Sequence, residues 1–281
     1  MYYLSIDSTT KKLIVNLSKD GEMVSGVSND RCLKHMEKIM THIDKVLREG
    51  HIDIGSIDVL GINTGPGDFT GTRIGISIVK TLSWVLDRPA YGINALDIFA
   101  MGIVSSNARY INKVLRSGIA VIIIPCLDVR REELYCSFYE IIPEKIQMGD
   151  IEKYAYRPIS EIEIGSRNYP FVNISGNLLI QKDSFNKKMS ELFRDGSFYL
   201  PNGGDRKYRD VRIIIGGNSV HSYKEMLSAL TNIDRRMILD KKNMEPTVSS
   251  LIKCVDFLVK GGKRPQGINP VYVREFVSFG K

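Results

Sequence analysis

A chain of 281 residues, 43% of them hydrophobic, can bury one large core or two moderate ones, which excludes a class that depends on metal or disulfide staples to fold. Its 39 basic and 32 acidic residues leave a formal charge of +7. That surplus assists contact with RNA or an acidic partner, but it is scattered along the chain and reads equally as ordinary solubility.

Cys32, Cys126, Cys136 and Cys254 form no CxxC pair and no zinc-chelating spacing, so reduced, buried thiols are expected. The opening MYYLSID carries no basic n-region, and no signal peptide is expected. The longest aliphatic run, GIAVIIIPCL from Gly118, is about half of what a bilayer-spanning helix needs and reads as a buried strand. A cytoplasmic chain with no membrane contact is the expectation.

In chain order, YYLSID, LIVNLS and EMVSGV alternate in strand fashion around polar turns and predict a three-stranded antiparallel meander. Ser28, Asn29 and Asp30 offer an N-cap. Leu33, Met36, Ile39, Met40, Ile43, Val46 and Leu47 then follow at helical spacing until Gly50. SIDVLGIN is the next strand, a glycine-rich turn follows, and a helix runs to about Leu86. PAYGI is a short strand and ALDIFAMGIVSS a helix. GIAVIIIPCLD and ELYCSFYEII are strands joined by the turn from Asp128 to Glu132. RIIIG is a further strand, and SYKEMLSAL and TVSSLIKCVDFLVKGG are helices. Two α/β lobes are expected, residues 1–108 and 109–281, with an irregular insertion at about 160–210 where Asn, Lys, Asp, Gly and Tyr accumulate.

The turn GPGDFTGTRIG, from Gly65 to Gly75, decides most of the functional reading. A strand that breaks at Gly-Pro-Gly before a helix aims free N–H groups at a positive helix end, a ready anion site. No Lys-Ser or Lys-Thr follows, so this is no Walker A loop, and Asp68 puts a carboxylate where phosphate would sit. Asp68 as helix N-cap is the better reading. The helix beyond is apolar nearly all round, with Arg73, Ser77, Lys80, Thr81 and Asp87 as its polar margin, and must be covered on nearly every side. Gly71 and Gly75 leave a flat strip. Either the chain's own first helix or a partner's helix could lie on it.

GPGDFTGTRIGISIVKTL closely resembles the GPGSFTGxRIGxxxAKGL signature of the TsaB (YeaZ) family. LSIDSTTKKLIV, KHMEKIMTHIDKVL, LDVRREELYCSFY and NPVYVRE resemble further family segments in the same order, across most of the chain outside residues 160–210. The resemblance implies a two-lobed α/β fold of the actin, Hsp70 and sugar-kinase type, with mixed sheets flanked by helices. It implies a non-catalytic scaffold for threonylcarbamoyladenosine modification of tRNA. Its partners would be a TsaD-like transferase and a TsaE-like ATPase, with tRNA engaged indirectly and a homodimer open to the isolated chain. The implied interface lies on residues 31–49 and 70–86, with His35, Ile39, His42, Gly71, Arg73, Ile74, Gly75 and Ile78 as its candidate residues. Asp68 stands where the pattern has Ser, Thr81 where it has Gly, and Glu132 where Gly is common.

No catalytic or metal residue is expected. His35 and His42 are seven apart, about 10.5 Å along a helix, too far to share one ion. Asp7, Ser8 and Thr9 occupy the first hairpin turn, which suits a nucleotide phosphate or an ordinary self-satisfied turn. The Gly216-Gly217-Asn218 loop is a weaker candidate of the same kind. The chain itself requires no cofactor, and ATP or ADP with magnesium is the candidate for the assembled complex. A carbamoyltransferase or kinase of the same fold and a direct RNA-binding module remain as alternatives. No G-x-S-x-G elbow or paired carboxylates suggest a hydrolase.

Overall fold

The computed structural model describes residues 1–29, 35–129, 132–143, 160–194, 197–199, 207–243, 245–262, 264–265 and 267–272. The chain divides into two compact units, residues 1–98 with the segment from Thr247 onward, and residues 99–246. This corrects the expected boundary at residue 108 and moves the last long helix into the first unit. The physical cause is its buried face, which packs on the first unit's sheet.

In that unit, β1 (Tyr2–Asp7), β2 (Leu13–Lys19) and β3 (Glu22–Asn29) form the expected antiparallel meander. β4 (Val59–Gly65) and β5 (Ala90–Asn94) extend it in parallel, giving the order β3-β2-β1-β4-β5. α1 (His35–Glu49) and α2 (Phe69–Leu86) cover one face. The expected start of α1 near residue 30 lies outside the described residues. Ile39, Ile43, Val46 and Leu47 of α1 and Ile76 and Val79 of α2 meet Leu4, Ile6, Val15, Leu60 and Ile62 in one apolar cluster. That is the i, i+4, i+7, i+8 spacing read from the sequence, now facing a sheet.

The C-terminal helix, Val248–Lys260, packs on the opposite face. It begins with a reciprocal cap, in which Thr247 Oγ1 accepts from Ser250 N–H and Ser250 Oγ accepts from Thr247 N–H, both at 3.1 Å. The sheet beneath it is built of small residues. Ser5 sits beside Asn16 on one side and Gly61 on the other, and Gly26 sits beyond Asn16. A Cβ placed on Gly61 would lie 2.5 Å from Val255 Cγ2, so the close approach needs glycine there.

The chain's division falls within α3 (Ala95–Ser106), which is followed by α4 (Ala108–Arg116), a helix the periodicity did not single out. The second unit's sheet uses β6 (Ala120–Asp128) and β7 (Glu133–Ile141), both buried almost throughout; the aliphatic run of β6 predicts this, while β7 also buries Glu133, Ser137 and Glu140. β8 (Ser160–Ile164) and β9 (Arg167–Gln181) follow in chain order. Next come α5 (Lys182–Glu191) and the small sheet of β10 (Phe193–Arg194), β11 (Ser197–Tyr199) and β12 (Lys207–Tyr208). The unit is completed by β13 (Val211–Gly216), α6 (Ser219–Ser222), α7 (Lys224–Ile233) and β14 (Met237–Leu239), with the sheet order β14-β13-β6-β7-β9-β8. The helix Val248–Lys260 is α8.

The described residues of 160–194 and 197–199 therefore overturn the expected irregular insertion there, and residues 200–206 of it lie outside the described residues. β9 is a 15-residue strand paired along most of β7. Its pattern is obscured because the pairing slips between Ser137 and Tyr139, where side chains replace ladder bonds. Asn173 Nδ2 donates to Ser137 Oγ, and Phe138 N–H donates to Ser175 Oγ, each at 2.8 Å. These polar residues broke the alternation that marks a strand. Cys126 and Cys136 face each other across β6 and β7 as buried thiols, and burial pushes the Cys126 thiol well up.

Gly61→Val is expected to lower stability by about 1–3 kcal/mol, because the added methyls meet Val255 and Ser5 in a packed layer. Urea midpoints at unchanged m value are the measurement.

Candidate protein-docking surface

The glycine-rich turn is built around one close approach. β4 ends at Gly65 with φ +94°, and Asp68 takes extended angles before accepting a 2.8 Å bond from Gly71 N–H. Asp68 is the N-cap, as its position suggested. Gly67, Gly71 and Gly75 then lie against the turn that ends β1. Added Cβ atoms would sit 2.2 Å from Thr9 O, 2.2 Å from Ser8 O and 2.3 Å from Ser8 Oγ respectively. Ser8 Oγ donates to Gly71 O at 2.8 Å, and Asp68 N–H to Thr9 O at 2.5 Å.

Neither reading of the glycine strip survives this geometry. Neither a partner's helix nor α1 covers it, since the chain's own first hairpin does so. Gly71 and Gly75 are buried, and Ile39 of α1 is fully enclosed in the core. These three residues therefore leave the candidate interface. They shape the surface from beneath. The His35 side chain lies outside the described residues. His42 is half-buried, with Nε2 enclosed and without a hydrogen-bond partner among the described residues.

Asp7, Ser8 and Thr9 are buried and engaged internally. Asp7 Oδ1 accepts from Thr9 N–H at 2.9 Å and from Thr9 Oγ1 at 2.7 Å, and Asp7 Oδ2 accepts from Asn63 Nδ2 at 2.8 Å. Asn63, which the sequence reading overlooked, also accepts from Gly65 N–H at 2.9 Å and so ties this turn to the glycine-rich one. Its signal was a lone amide closing an apolar strand. The turn is self-satisfied, and its carboxylate points at protein donors. The Gly216-Gly217-Asn218 loop behaves similarly. Asn218 Oδ1 accepts from Asp128 N–H at 2.7 Å, and Ser219 Oγ donates to Cys126 O at 2.8 Å. Among the described residues, no cluster of three or more His, Cys, Asp or Glu could hold a metal ion.

What remains open is the other side of α2. Arg73, Ile74, Ser77 and Ile78 line a groove of about 340 Å³. About two helical turns beyond Ser77 and Ile78, Trp84 is 84% and Val85 65% exposed, far beyond the usual level for such side chains. Met40 of α1 and Phe69 at the start of α2 are also exposed. Arg73 is held in place: its guanidinium lies 3.8 Å over the Phe69 ring, and its Nε donates to Tyr272 Oη at 2.8 Å. Tyr272 comes from the closing NPVY segment, where Val271 N–H also donates to Thr64 O at 2.8 Å. Arg73 is exposed and Ile74 and Ile78 are half-buried, each partly packed on the core cluster, while Phe69, Trp84, Val85 and Tyr272 are exposed residues outside the candidate interface read from the sequence.

The family model described as TsaD, tRNA N6-adenosine threonylcarbamoyltransferase, matches residues 31–163. The chain is 25% identical over 207 residues to the tRNA threonylcarbamoyladenosine biosynthesis protein TsaB of Escherichia coli K12, covering 73% of this chain and 84% of that one. It is 25% identical over 140 residues to TsaB of Bacillus subtilis 168, covering 50% of this chain and 56% of that one. YeaZ from Pseudomonas aeruginosa shares the fold, with a TM-score of 0.58 at 18% identity over 97% of this chain and 99% of that one. These likenesses support the TsaB (YeaZ) family for this chain.

The expected fold class, two α/β units with mixed sheets flanked by helices, is the one observed. The match spans little more than half the length of the B. subtilis TsaB. This TsaB-like chain departs from the signature in physically readable ways. Asp68 caps α2 as the usual Ser would. Thr81 is exposed, with Oγ1 bonded back to Ser77 O at 3.0 Å, so its bulk is added to the outer face. Glu132 sits at φ +59°, a left-handed conformation that explains why Gly is common there and that costs Glu about 1–2 kcal/mol.

Asp68→Ala is expected to cost about 1 kcal/mol, and Asp68→Ser to restore most of it, as read by thermal unfolding. Burial lowers the His42 pKa below its ordinary 6.5, with Lys38 and Lys45 adding to the shift. The unfolded chain therefore binds this proton more readily, so stability falls as pH drops below 6.5. His42→Gln is expected to flatten that decline, measured as urea midpoints at several pH values from 7.5 downward.

Proposed function

We propose that this chain is a non-catalytic subunit that docks onto a TsaD-like threonylcarbamoyltransferase and supports threonylcarbamoyladenosine modification of tRNA in the cytoplasm. The observation that carries this reading is the exposed Trp84–Val85 pair beside the Ile74–Ile78 groove, on the very helix that bears the family signature. An aromatic of this size removes about 150–250 Å² from water when covered, on the order of 4–6 kcal/mol before association costs. Interface energy commonly concentrates on such anchors, with rigid arginines beside them. Arg73, braced by Phe69 and Tyr272, is such an arginine.

In this scheme the chain acts by shape. Covering α2 fixes the partner's apposed helices, and through them its active-site geometry. A TsaE-like ATPase, and ATP or ADP with magnesium, belong to the assembled complex, and tRNA is reached through the transferase. The isolated chain can pair with itself through the same face. The rival reading is a transferase or kinase of the same fold, suggested by the family-model match over residues 31–163. It requires turnover by the isolated chain.

Trp84→Ala and Ile78→Glu are each expected to weaken binding to the organism's TsaD-like protein about tenfold or more, with thermal stability little changed for Trp84→Ala because that side chain packs on almost nothing. Calorimetric titration reads the affinity, and reconstituted nucleoside modification reads the consequence. Unchanged affinity for a folded Trp84→Ala protein would overturn the docking assignment.

A further inference from the structure

α4 presents a second surface that the docking reading leaves unused. Its inner side is apolar, with Ile111, Val114 and Leu115 buried. Its outer side carries Arg109, Lys113 and Arg116, all exposed, at i, i+4 and i+7. That spacing sets three cations along one strip about 10 Å long. Tyr110 lies exposed beside them, and the helix holds no acidic residue.

Several helix cations elsewhere in the chain are paired. Arg48 reaches Asp44 at 2.8 Å, Lys45 reaches Glu49 at 3.7 Å, and Lys260 reaches Asp256 at 2.8 Å. On α4 none of the three cations makes an ion pair with any described residue, although neighbouring β8 exposes Glu161 and Glu163. Like charges four apart on a helix cost a few tenths of a kcal/mol and return nothing to folding.

We propose that the outer face of α4 binds the phosphate backbone of RNA. The planar forks of Arg109 and Arg116 suit phosphate oxygens, Lys113 adds a mobile point charge, and the Tyr110 ring offers a stacking plane to an unpaired base. The choice of RNA over an acidic protein rests on the function proposed above, in which tRNA is the substrate of the complex. It goes beyond that reading by giving this chain a direct contact with the nucleic acid.

The test uses the full-length protein, a fluorescent tRNA transcript with adenosine 3′ to the anticodon, and salt between about 50 and 200 mM. The triple change Arg109→Gln, Lys113→Gln, Arg116→Gln is expected to weaken binding about tenfold at the low end and to reduce the salt slope by roughly two to three. Tyr110→Leu is expected to weaken binding without changing the slope. All four side chains are exposed, so unfolding midpoints should stay within a degree or two. No wild-type retention at low salt overturns the proposal, as does a triple variant with unaltered affinity and slope. Loss of transferase or ATPase binding with tRNA retention intact also overturns it and assigns the strip to an acidic protein. Trp84→Ala separates the two readings, since it should release the transferase while leaving the chain's own tRNA binding unchanged.

Discussion

The seating of the α2 backbone on the Ser8–Thr9 turn governs the functional half of this molecule. Three glycines, at 67, 71 and 75, allow helix and hairpin to touch at distances no side chain permits. Once that contact is made, α2 cannot rotate. Ile76 and Val79 are committed to the core, and Arg73, Ser77, Trp84 and Val85 are committed to water. The cap from Asp68 and the bond from Ser8 Oγ to Gly71 O fix where the helix begins. The outward face is thus a consequence of the inward one.

The same contact closes the site where an anion was considered. Asp7, Thr9 and Asn63 satisfy one another, so the polar groups at the end of β1 hold two loops together. Backbone N–H groups at a helix start attract phosphate only when they are not already bonded. Here the start of α2 is answered by Asp68 and by the hairpin. A turn that looks like an anion cradle is thus put to structural use.

The second unit is organised by different physics. Its central strands are buried on both faces and need little patterning, which lets β7 and β9 tolerate a slipped register sealed by Ser137, Asn173 and Ser175. Edge elements carry the polar character, and α4 carries it with a single sign of charge. Burial of its apolar stripe and exposure of its basic stripe come from one amphipathic period, so core packing and surface charge are set by the same nine residues.

Much of this was legible in the order of residues. Local chemistry marked the meander, the cap at Asp68, the apolar stripe of α1 and the continuous core strands, because alternation, capping and burial periods act over a few neighbours. β9 escaped notice because its bulge breaks the two-residue period, and the placement of α8 escaped because nothing local says which sheet a distant helix will cover. The sequence determined that α2 is too apolar to stand alone and that glycines line one of its sides. Only the tertiary structure decided which side is spent on the chain itself. That choice depends on residues some sixty positions away, Ser8 and Thr9, whose approach buries Gly71 and Gly75 while Trp84 stays almost fully exposed.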